Sequence, residues 1–177
     1  MKTWGKQGIM IALGGNLGDV QSAFDSACVM LQEHGLIIAK SKLYQTAALT
    51  ADANSPAQAD YLNAVVQLDT DLPAASLLQV LHEIEDQHGR KRLSHWASRT
   101  LDLDLLCYQD IILSSPELRL PHPELAKRLF VLQPLADIHP DWIHPVTQQP
   151  ISAMIQHLIQ HNSDLYKGKL WTSNTPK

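Results

Sequence analysis

The segment at residues 99–106 constrains the fold more than any other, because it alternates leucine with charged or polar residues. Alternation with a period of two is typical of a β-strand with one buried face. In such a strand Asp102 and Asp104 project from the same face, opposite the leucines. Two adjacent carboxylates repel each other, so the pattern favours a cation between them, and oxygen ligands suit magnesium. An exposed strand face that happens to carry two aspartates is the alternative.

A cluster of cations precedes this strand. The chain has 14 lysines and arginines against 18 aspartates and glutamates, yet four of those cations lie between residues 90 and 99. Metal-assisted phosphoryl transfer needs such surroundings, because carboxylates hold the metal and arginines neutralise the transferred group. A solvated helix end would also carry cations. The net charge of -4 argues against sequence-independent binding of nucleic acid.

Length and composition predict a single globular domain over residues 1–177, with a polar tail at residues 170–177. A chain of 177 residues with 45% apolar residues can bury one substantial core. No apolar run approaches the ~20 residues that span a bilayer, so no membrane partner is expected. Cys28 and Cys107 are far apart and lie among apolar residues, which favours reduced thiols and a cytoplasmic location.

Periodicity and turn residues predict an α+β sandwich, in which helices cover one face of a largely antiparallel sheet. The predicted order is strand, helix, strand, strand, helix, strand, with further helices appended. Strands are predicted at residues 9–13, 36–44, 61–70 and 101–108. Helices are predicted between residues 19 and 35 and between 73 and 89, and over residues 124–137 and 151–161. A long loop is predicted over residues 46–60, and a loop of that length in a compact domain is usually functional.

Taken together, these motifs resemble the 6-hydroxymethyl-7,8-dihydropterin pyrophosphokinase family over about residues 9–138. The most specific match is Trp96 with residues 99–104, followed by Pro121-His122-Pro123. Shorter matches lie at residues 12–19, 44–46, 60–64, 83–85, 89–90 and 128–135. The resemblance implies a ferredoxin-like fold, in agreement with the predicted order of elements.

The resemblance also implies an activity, the transfer of pyrophosphate from ATP to the hydroxymethyl group of 6-hydroxymethyl-7,8-dihydropterin in folate biosynthesis. ATP would be the co-substrate, and two Mg²⁺ ions would be held by Asp102 and Asp104. Arg90 and Arg92 would join the two aspartates as catalytic residues. The implied partners are these two small molecules, and the chain is expected to be a monomer.

Substrate-binding residues follow from the same resemblance, position by position. The pterin would be bound by Thr46, Leu49, Tyr61, Asn63, Trp96 and Phe130. ATP would be bound by Glu85, Arg99, His122 and Arg128. An amide offers a donor and an acceptor to the mixed edge of a pterin, and an aromatic ring can stack on it. Core packing is the alternative role for the aromatic residues, and a solvated helix face is the alternative for Arg128.

Three stretches depart from the family's usual pattern. Gly15 stands where serine is usual, which predicts a small change at a turn. Ala47-Ala48 replaces two prolines, which predicts a more flexible loop. His95-Trp96-Ala97-Ser98 replaces Arg-Trp-Gly-Pro, and this histidine is mostly neutral at about pH 7.

Other functions are compatible with the residues. The departures would fit a non-catalytic paralogue that binds a pterin or nucleotide, although every metal and phosphate candidate is retained. Asp102 and Asp104 would also serve a phosphohydrolase that releases phosphate from ATP without a pterin. A metal site at His139 and His144 is disfavoured, because the adjacent prolines predict a turn and no helix aligns the two rings.

Overall fold

The structure is a computed structural model, and it describes residues 8–47, 59–89 and 99–161 together with the backbone of residues 173–174. The helices are α1 Val20–Leu31, α2 Ala74–Gln87, α3 Leu129–Ile138 and α4 Ile151–His161, with a 3₁₀ turn at Leu125–Lys127. The longer strands are β1 Ile9–Gly15, β2 Leu36–Lys40, β3 Leu43–Thr46, β4 Tyr61–Asp69 and β5 Asp102–Tyr108. Two-residue strands are β6 Leu113–Ser114, β7 Arg119–Leu120 and β8 Ser173–Asn174. Within the described residues, no helix is both long and apolar enough to cross a membrane.

The main sheet has ferredoxin-like topology. β5 lies at one edge, followed by β1, β4 and β3, and each neighbouring pair is antiparallel. β2 pairs with β4 beside β3, so β2 and β3 together act as one bent strand. The chain therefore runs strand, helix, strand, strand, helix, strand, which is the ferredoxin-like motif. The predicted α+β class and antiparallel sheet are confirmed.

Helices cover both faces of this sheet, whereas the sequence predicts them on one face. Ile9, Ile11 and Leu13 of β1 pack with α1 and α2 in one core. Met10 packs with α3 and α4 in a second core on the opposite face. Successive side chains of a strand point to opposite faces, so β1 serves both cores. The continuous apolar run of β1 is typical of a strand buried on both faces.

The predicted strand at residues 36–44 is divided at Ser41. Its hydroxyl accepts a hydrogen bond from Val65 N at 2.9 Å and donates to Lys42 O at 2.8 Å. A side-chain oxygen thus takes over a backbone position of the sheet, as serine hydroxyls can do. Apolar residues lie on both sides of the break, so the periodicity does not reveal it.

The predicted helix at residues 124–137 is divided as well. Arg128 has an extended backbone (φ −120°, ψ 105°) between the 3₁₀ turn and α3. Leu125, Leu129 and Leu132 keep helical spacing across this residue, which is why the sequence predicts one continuous helix. The other three predicted helices are confirmed.

Candidate active site

One row of residues across the sheet brings together two predicted site residues. Gly14 of β1 pairs with Asn63 of β4 on one side and with Asp102 of β5 on the other. Paired residues share a face, and strands lie about 4.8 Å apart, so Asn63 and Asp102 stand roughly 10 Å apart. In the next row Ala12 pairs with Asp104. Two small residues therefore form a shallow floor between the amide and the carboxylates.

This floor lies on the sheet face that α3 and α4 cover. Leu103 and Leu105, which alternate with the aspartates, pack on the opposite face with α1 and α2. Ala12 and Phe130 pack against the core formed by α3 and α4. The leucine–aspartate alternation thus predicted the strand and its two faces correctly.

Two arginines and a histidine surround the two carboxylates. Arg99 Nη1 lies 2.8 Å from Asp102 Oδ2, and Arg128 Nη1 lies 3.8 Å from Asp104 Oδ2. His122 Nε2 lies 3.9 Å from Asp104 Oδ1. Each of these side chains keeps 26% to 36% of its surface exposed, so a ligand can reach them. Ion pairs this exposed contribute at most about 1 kcal/mol each, so stability alone does not account for the arrangement.

His122 is held in a defined orientation. Its Nδ1 accepts a hydrogen bond from Glu124 N at 3.1 Å, so in the neutral ring the proton resides on Nε2, the atom nearest Asp104. Its backbone N donates to Leu106 O at 2.8 Å, which attaches the segment to β5. The imidazole thus presents a hydrogen-bond donor to the carboxylate face.

Arg128 and Phe130 reach the site through the interruption before α3. The extended backbone at Arg128 ends the 3₁₀ turn, and its guanidinium extends towards Asp104. The same guanidinium lies 5.9 Å from the centroid of the Phe130 ring, within the range of a cation–π contact. Phe130 is half-buried against the core of α3 and α4, so part of its ring remains available for stacking.

Polar groups at the other end of the floor come from β3 and β4. Thr46 pairs with Tyr61, and both share a face with Asn63. The buried Asn63 amide donates to Thr46 Oγ1 at 3.0 Å and to Tyr44 O at 3.4 Å. These contacts orient Asn63 Oδ1 over Gly14, where it can accept a hydrogen bond from a ligand.

Glu85 lies inside the protein rather than on this open floor. Its side chain is 1% exposed, and Oε1 accepts a hydrogen bond from Leu103 N at 2.7 Å. Leu103 separates Asp102 from Asp104 on the edge strand, so Glu85 of α2 covers a backbone donor at that edge. ATP binding by Glu85 stays a prediction.

Asn16 is a positioning residue that the sequence did not identify. Its buried Oδ1 accepts from Arg99 N at 3.0 Å, and its backbone N donates to Arg99 O at 2.9 Å. Its Nδ2 donates to Ala59 O at 3.2 Å. Asn16 therefore fixes the residue whose guanidinium pairs with Asp102. Its only signal in the sequence is the Gly-Gly-Asn pattern, which is typical of turns.

Gly15 allows a close approach of two backbone segments. A Cβ at this position would lie 2.6 Å from Thr100 O and 2.9 Å from Val20 Cγ1. A serine, usual in the family, would require the Thr100 backbone to move, because backbone cannot yield as a side-chain end can. The expectation of a small change at a turn is therefore wrong for this chain.

Four predicted site residues lie outside the described residues. They are Leu49, Arg90, Arg92 and Trp96. The departures from the family pattern at Ala48 and at residues 95–98 lie outside them too. Their roles stay predictions.

The two aspartates fit a magnesium ion shared with a phosphate substrate. Mg²⁺ is typically bound through one or two carboxylates, with waters and substrate phosphates completing its coordination. In the part of the chain that the structure describes, no group of three or more His, Cys, Asp or Glu side chains could hold a metal. Asp102 and Asp104 are the residues that would hold such an ion.

Paired carboxylates, arginines and a histidine on one face of a ferredoxin-like sheet suit an enzyme that transfers phosphate groups, since such enzymes act by positioning and charge neutralisation. Residues 10–140 match a family model described as 7,8-dihydro-6-hydroxymethylpterin-pyrophosphokinase. This chain belongs to that family, as its sequence motifs predicted. The family's members are pyrophosphokinases that use ATP as co-substrate.

Curated relatives agree with this assignment, and a solved structure agrees with the fold. The 2-amino-4-hydroxy-6-hydroxymethyldihydropteridine pyrophosphokinase of Synechocystis sp. is 39% identical over 153 residues, covering 85% of this chain and 76% of the relative. The Pseudomonas aeruginosa enzyme of the same name is 41% identical over 140 residues, covering 76% and 82%. A Plasmodium falciparum HPPK-DHPS structure aligns with a TM-score of 0.69 at 16% identity, covering 94% of this chain, and it supports the fold alone. This chain spans 48% of that longer protein.

Proposed function

We propose that this chain transfers pyrophosphate from ATP to the hydroxymethyl group of 6-hydroxymethyl-7,8-dihydropterin, releases AMP, and acts in folate biosynthesis. The observation that carries the proposal is the row Asn63–Gly14–Asp102. The Asn63 amide, which can bind a heterocycle, lies roughly 10 Å from the Asp102 carboxylate. That carboxylate can hold a metal that interacts with phosphates. A pterin bound at the amide would extend its hydroxymethyl group along the row towards the aspartates.

Residues of β3, β4 and α3 would bind the pterin. Asn63 Oδ1 would accept from a ring N–H, while the contacts of its amide with Thr46 and Tyr44 keep that oxygen in place. Phe130 would stack on the heterocycle, and a second aromatic ring on the other side would complete the sandwich. Tyr61 shares this face and is only partly buried.

Residues around β5 would bind the phosphates. Asp102 and Asp104 would hold Mg²⁺, in the family's pattern two ions, and this would supply positive charge to the transferred group. Arg99, Arg128 and His122 Nε2 would donate to phosphate oxygens at this face. Arg90 and Arg92 would act on the transferred group. No general base is required, because positioning and charge neutralisation carry most of the catalysis in phosphoryl transfer.

The proposal also includes a cellular location, a domain organisation, an oligomeric state and a set of partners. Cys28 and Cys107 are both buried free thiols, which suits a reducing compartment, and we place the enzyme in the cytoplasm. The chain would act as one catalytic domain and as a monomer. Its partners would be the two small-molecule substrates rather than nucleic acid or membrane.

The test is release of AMP from ATP and Mg²⁺, with and without 6-hydroxymethyl-7,8-dihydropterin. Pterin-dependent AMP together with pterin diphosphate is the expected result, because ordinary kinases release ADP instead. Omission of Mg²⁺, with a chelator present, should abolish the reaction. Release of inorganic phosphate without pterin would instead establish the phosphohydrolase. Pterin binding without AMP would establish the non-catalytic paralogue and direct attention to residues 95–98.

A further inference from the structure

A carboxylate of α3 is hydrogen-bonded to β3 on the side of the molecule where the pterin would bind. Asp137 Oδ2 accepts from the Tyr44 hydroxyl at 2.8 Å and from Lys42 N at 3.2 Å. Lys42 lies in the break between β2 and β3, where Ser41 has taken over the neighbouring sheet contact with Val65. Asp137 therefore provides an acceptor for an amide that the broken strand leaves outside the sheet.

The two ends of this contact carry predicted pterin residues. Thr46 lies two residues after Tyr44 in β3, so the two side chains share a face. Phe130 lies seven residues before Asp137 in α3, two helical turns away on about the same side of the helix. The Asp137–Tyr44 hydrogen bond thus connects the strand that carries Thr46 to the helix that carries Phe130.

Tyr44 is held in place through both its side chain and its backbone, which suits it to a stable hydrogen bond with Asp137. Its side chain is buried, and its backbone carbonyl accepts from the Asn63 amide. Burial and, secondarily, the neighbouring Asp137 carboxylate raise the pKa of Tyr44 well above its ordinary value, so the hydroxyl stays a donor at physiological pH.

We propose that Asp137 is a positioning residue, which sets the separation of β3 and α3 and thereby the width of the pterin pocket between Thr46 and Phe130. Asp137 touches neither substrate in this account, and the proposal rests on the proposed function. The phosphate end of the site is held by different contacts, those of Asn16 with Arg99 and of Glu124 with His122. Loss of Asp137 should therefore weaken pterin binding selectively.

The experiment compares D137A and Y44F with a matched control, D19A. Asp19 is also an exposed carboxylate that accepts one backbone amide and one hydroxyl, both from Ser22, at 3.0 and 2.8 Å. It caps α1, which packs on the opposite face of the sheet. D137A and Y44F should raise the KM for the pterin by about three- to tenfold, with kcat and the KM for ATP changed less than about twofold. D19A should leave all of these parameters unchanged.

Three further comparisons distinguish a positioning role from a general loss of structure. The double variant Y44F/D137A should bind the pterin no more weakly than D137A, because both changes remove the same hydrogen bond. D137E, which keeps a carboxylate, should recover part of the affinity. Amide hydrogen exchange of Lys42 should accelerate in D137A and stay at the wild-type rate in Y44F.

Distinct results would overturn the two proposals. An unchanged pterin KM in Y44F and D137A, with exchange at Lys42 accelerated in D137A, would refute the role of Asp137 and leave the proposed function intact. Equal increases in the KM for pterin and the KM for ATP would refute it as well.

A wild-type protein that makes no pterin-dependent AMP would refute the proposed function. The pocket would then be tested by pterin affinity alone, and an unchanged affinity in both variants would again refute the role of Asp137. If D137A does not fold, Y44F keeps its ring and decides the question.

Discussion

At the scale of single residues, the charged groups on the floor contribute little to the stability of the protein. Asp102 and Asp104 are partly exposed, and their ion pairs with Arg99 and Arg128 are partly exposed too. Such pairs add little to the free energy of unfolding. Two carboxylates on one strand face repel each other, so their proximity is favourable only when cations or a metal compensate it.

D102N and D104N should therefore lower kcat without unfolding the protein. Each change keeps the side-chain shape but removes the charge that would hold Mg²⁺, and we expect a loss of about a thousandfold. The Tm should change by less than about 4 °C, since only weak ion pairs are lost. AMP release at saturating Mg²⁺ and thermal unfolding measure the two effects. The exposed Asp25 of α1 provides the control D25N, and full activity in either site variant would contradict the metal assignment.

Glu85 accepts a hydrogen bond from a backbone donor, so replacement of Glu85 should lower the stability of the protein. E85A would leave the buried Leu103 N–H without its acceptor, which should lower the free energy of unfolding by about 1 to 3 kcal/mol. E85Q retains an acceptor oxygen and should lose less. Urea denaturation of the two variants gives the comparison. Equal stability of E85A and wild type would show that the contact is dispensable.

At the scale of secondary structure elements, β5 is supported from outside the sheet. Helix α2 supplies Glu85 to Leu103 N, and the segment before the 3₁₀ turn supplies His122 N to Leu106 O. An edge strand otherwise presents unpaired backbone groups. These two contacts hold the strand that carries both aspartates, so the position of the carboxylates depends on elements distant in the sequence.

The turn between α3 and α4, where the sequence predicted a proline-rich turn, is built around His144. His144 is buried, and its Nδ1 accepts from Val146 N at 3.2 Å and from Thr147 N at 3.3 Å. The ring also lies edge-on to Trp142, with 5.6 Å between centroids. An Nδ1 that accepts two backbone donors requires a neutral imidazole.

This turn should make the protein less stable in mild acid. Burial lowers the pKa of His144 below its ordinary value of 6.5. The unfolded chain then binds the proton more readily than the folded chain, so the free energy of unfolding falls as the pH drops below about 6.5. H144N cannot take up the proton and should show a smaller difference in Tm between about pH 7.5 and about pH 5.5. An identical pH dependence of Tm in both proteins would rule out this contribution.

At the scale of the whole molecule, two cores sandwich one sheet, and the second core extends beyond the family match. That match ends at residue 140, whereas Trp142, Ile151, Met154 and Leu158 are buried with α3 in the second core. Burial of these four side chains is worth about 6 to 12 kcal/mol. Globular domains of this kind are stable by only about 5 to 15 kcal/mol in total.

A chain that ends at residue 140 should therefore fail to fold, although it contains every predicted site residue. Circular dichroism and thermal unfolding of the truncated chain would show this as loss of the cooperative transition. A chain that ends at residue 161 keeps α4 and is the control. A cooperative transition near the wild-type Tm in the shorter chain would show that the second core is sufficient without α4.

The sequence predicted the fold class and most elements, because local periodicity and turn residues report on them directly. It erred at Ser41 and at Arg128, where the chain breaks without interrupting the apolar spacing. It also placed the helices on one face, since the apolar run of β1 does not say which helices will cover each side. The missed residue Asn16 acts through contacts with Arg99 and Ala59, which are far away in the chain.

By itself the sequence determined that Asp102 and Asp104 project from one face of a strand, because side-chain direction alternates along any strand. Only the tertiary structure decided what stands beside them. Pairing of β1 with both β4 and β5 places Asn63 and Asp102 on either side of Gly14, and the break before α3 brings Arg128 to Asp104. Strand register and helix breaks depend on partners distant in the chain, and a local pattern carries no information about them.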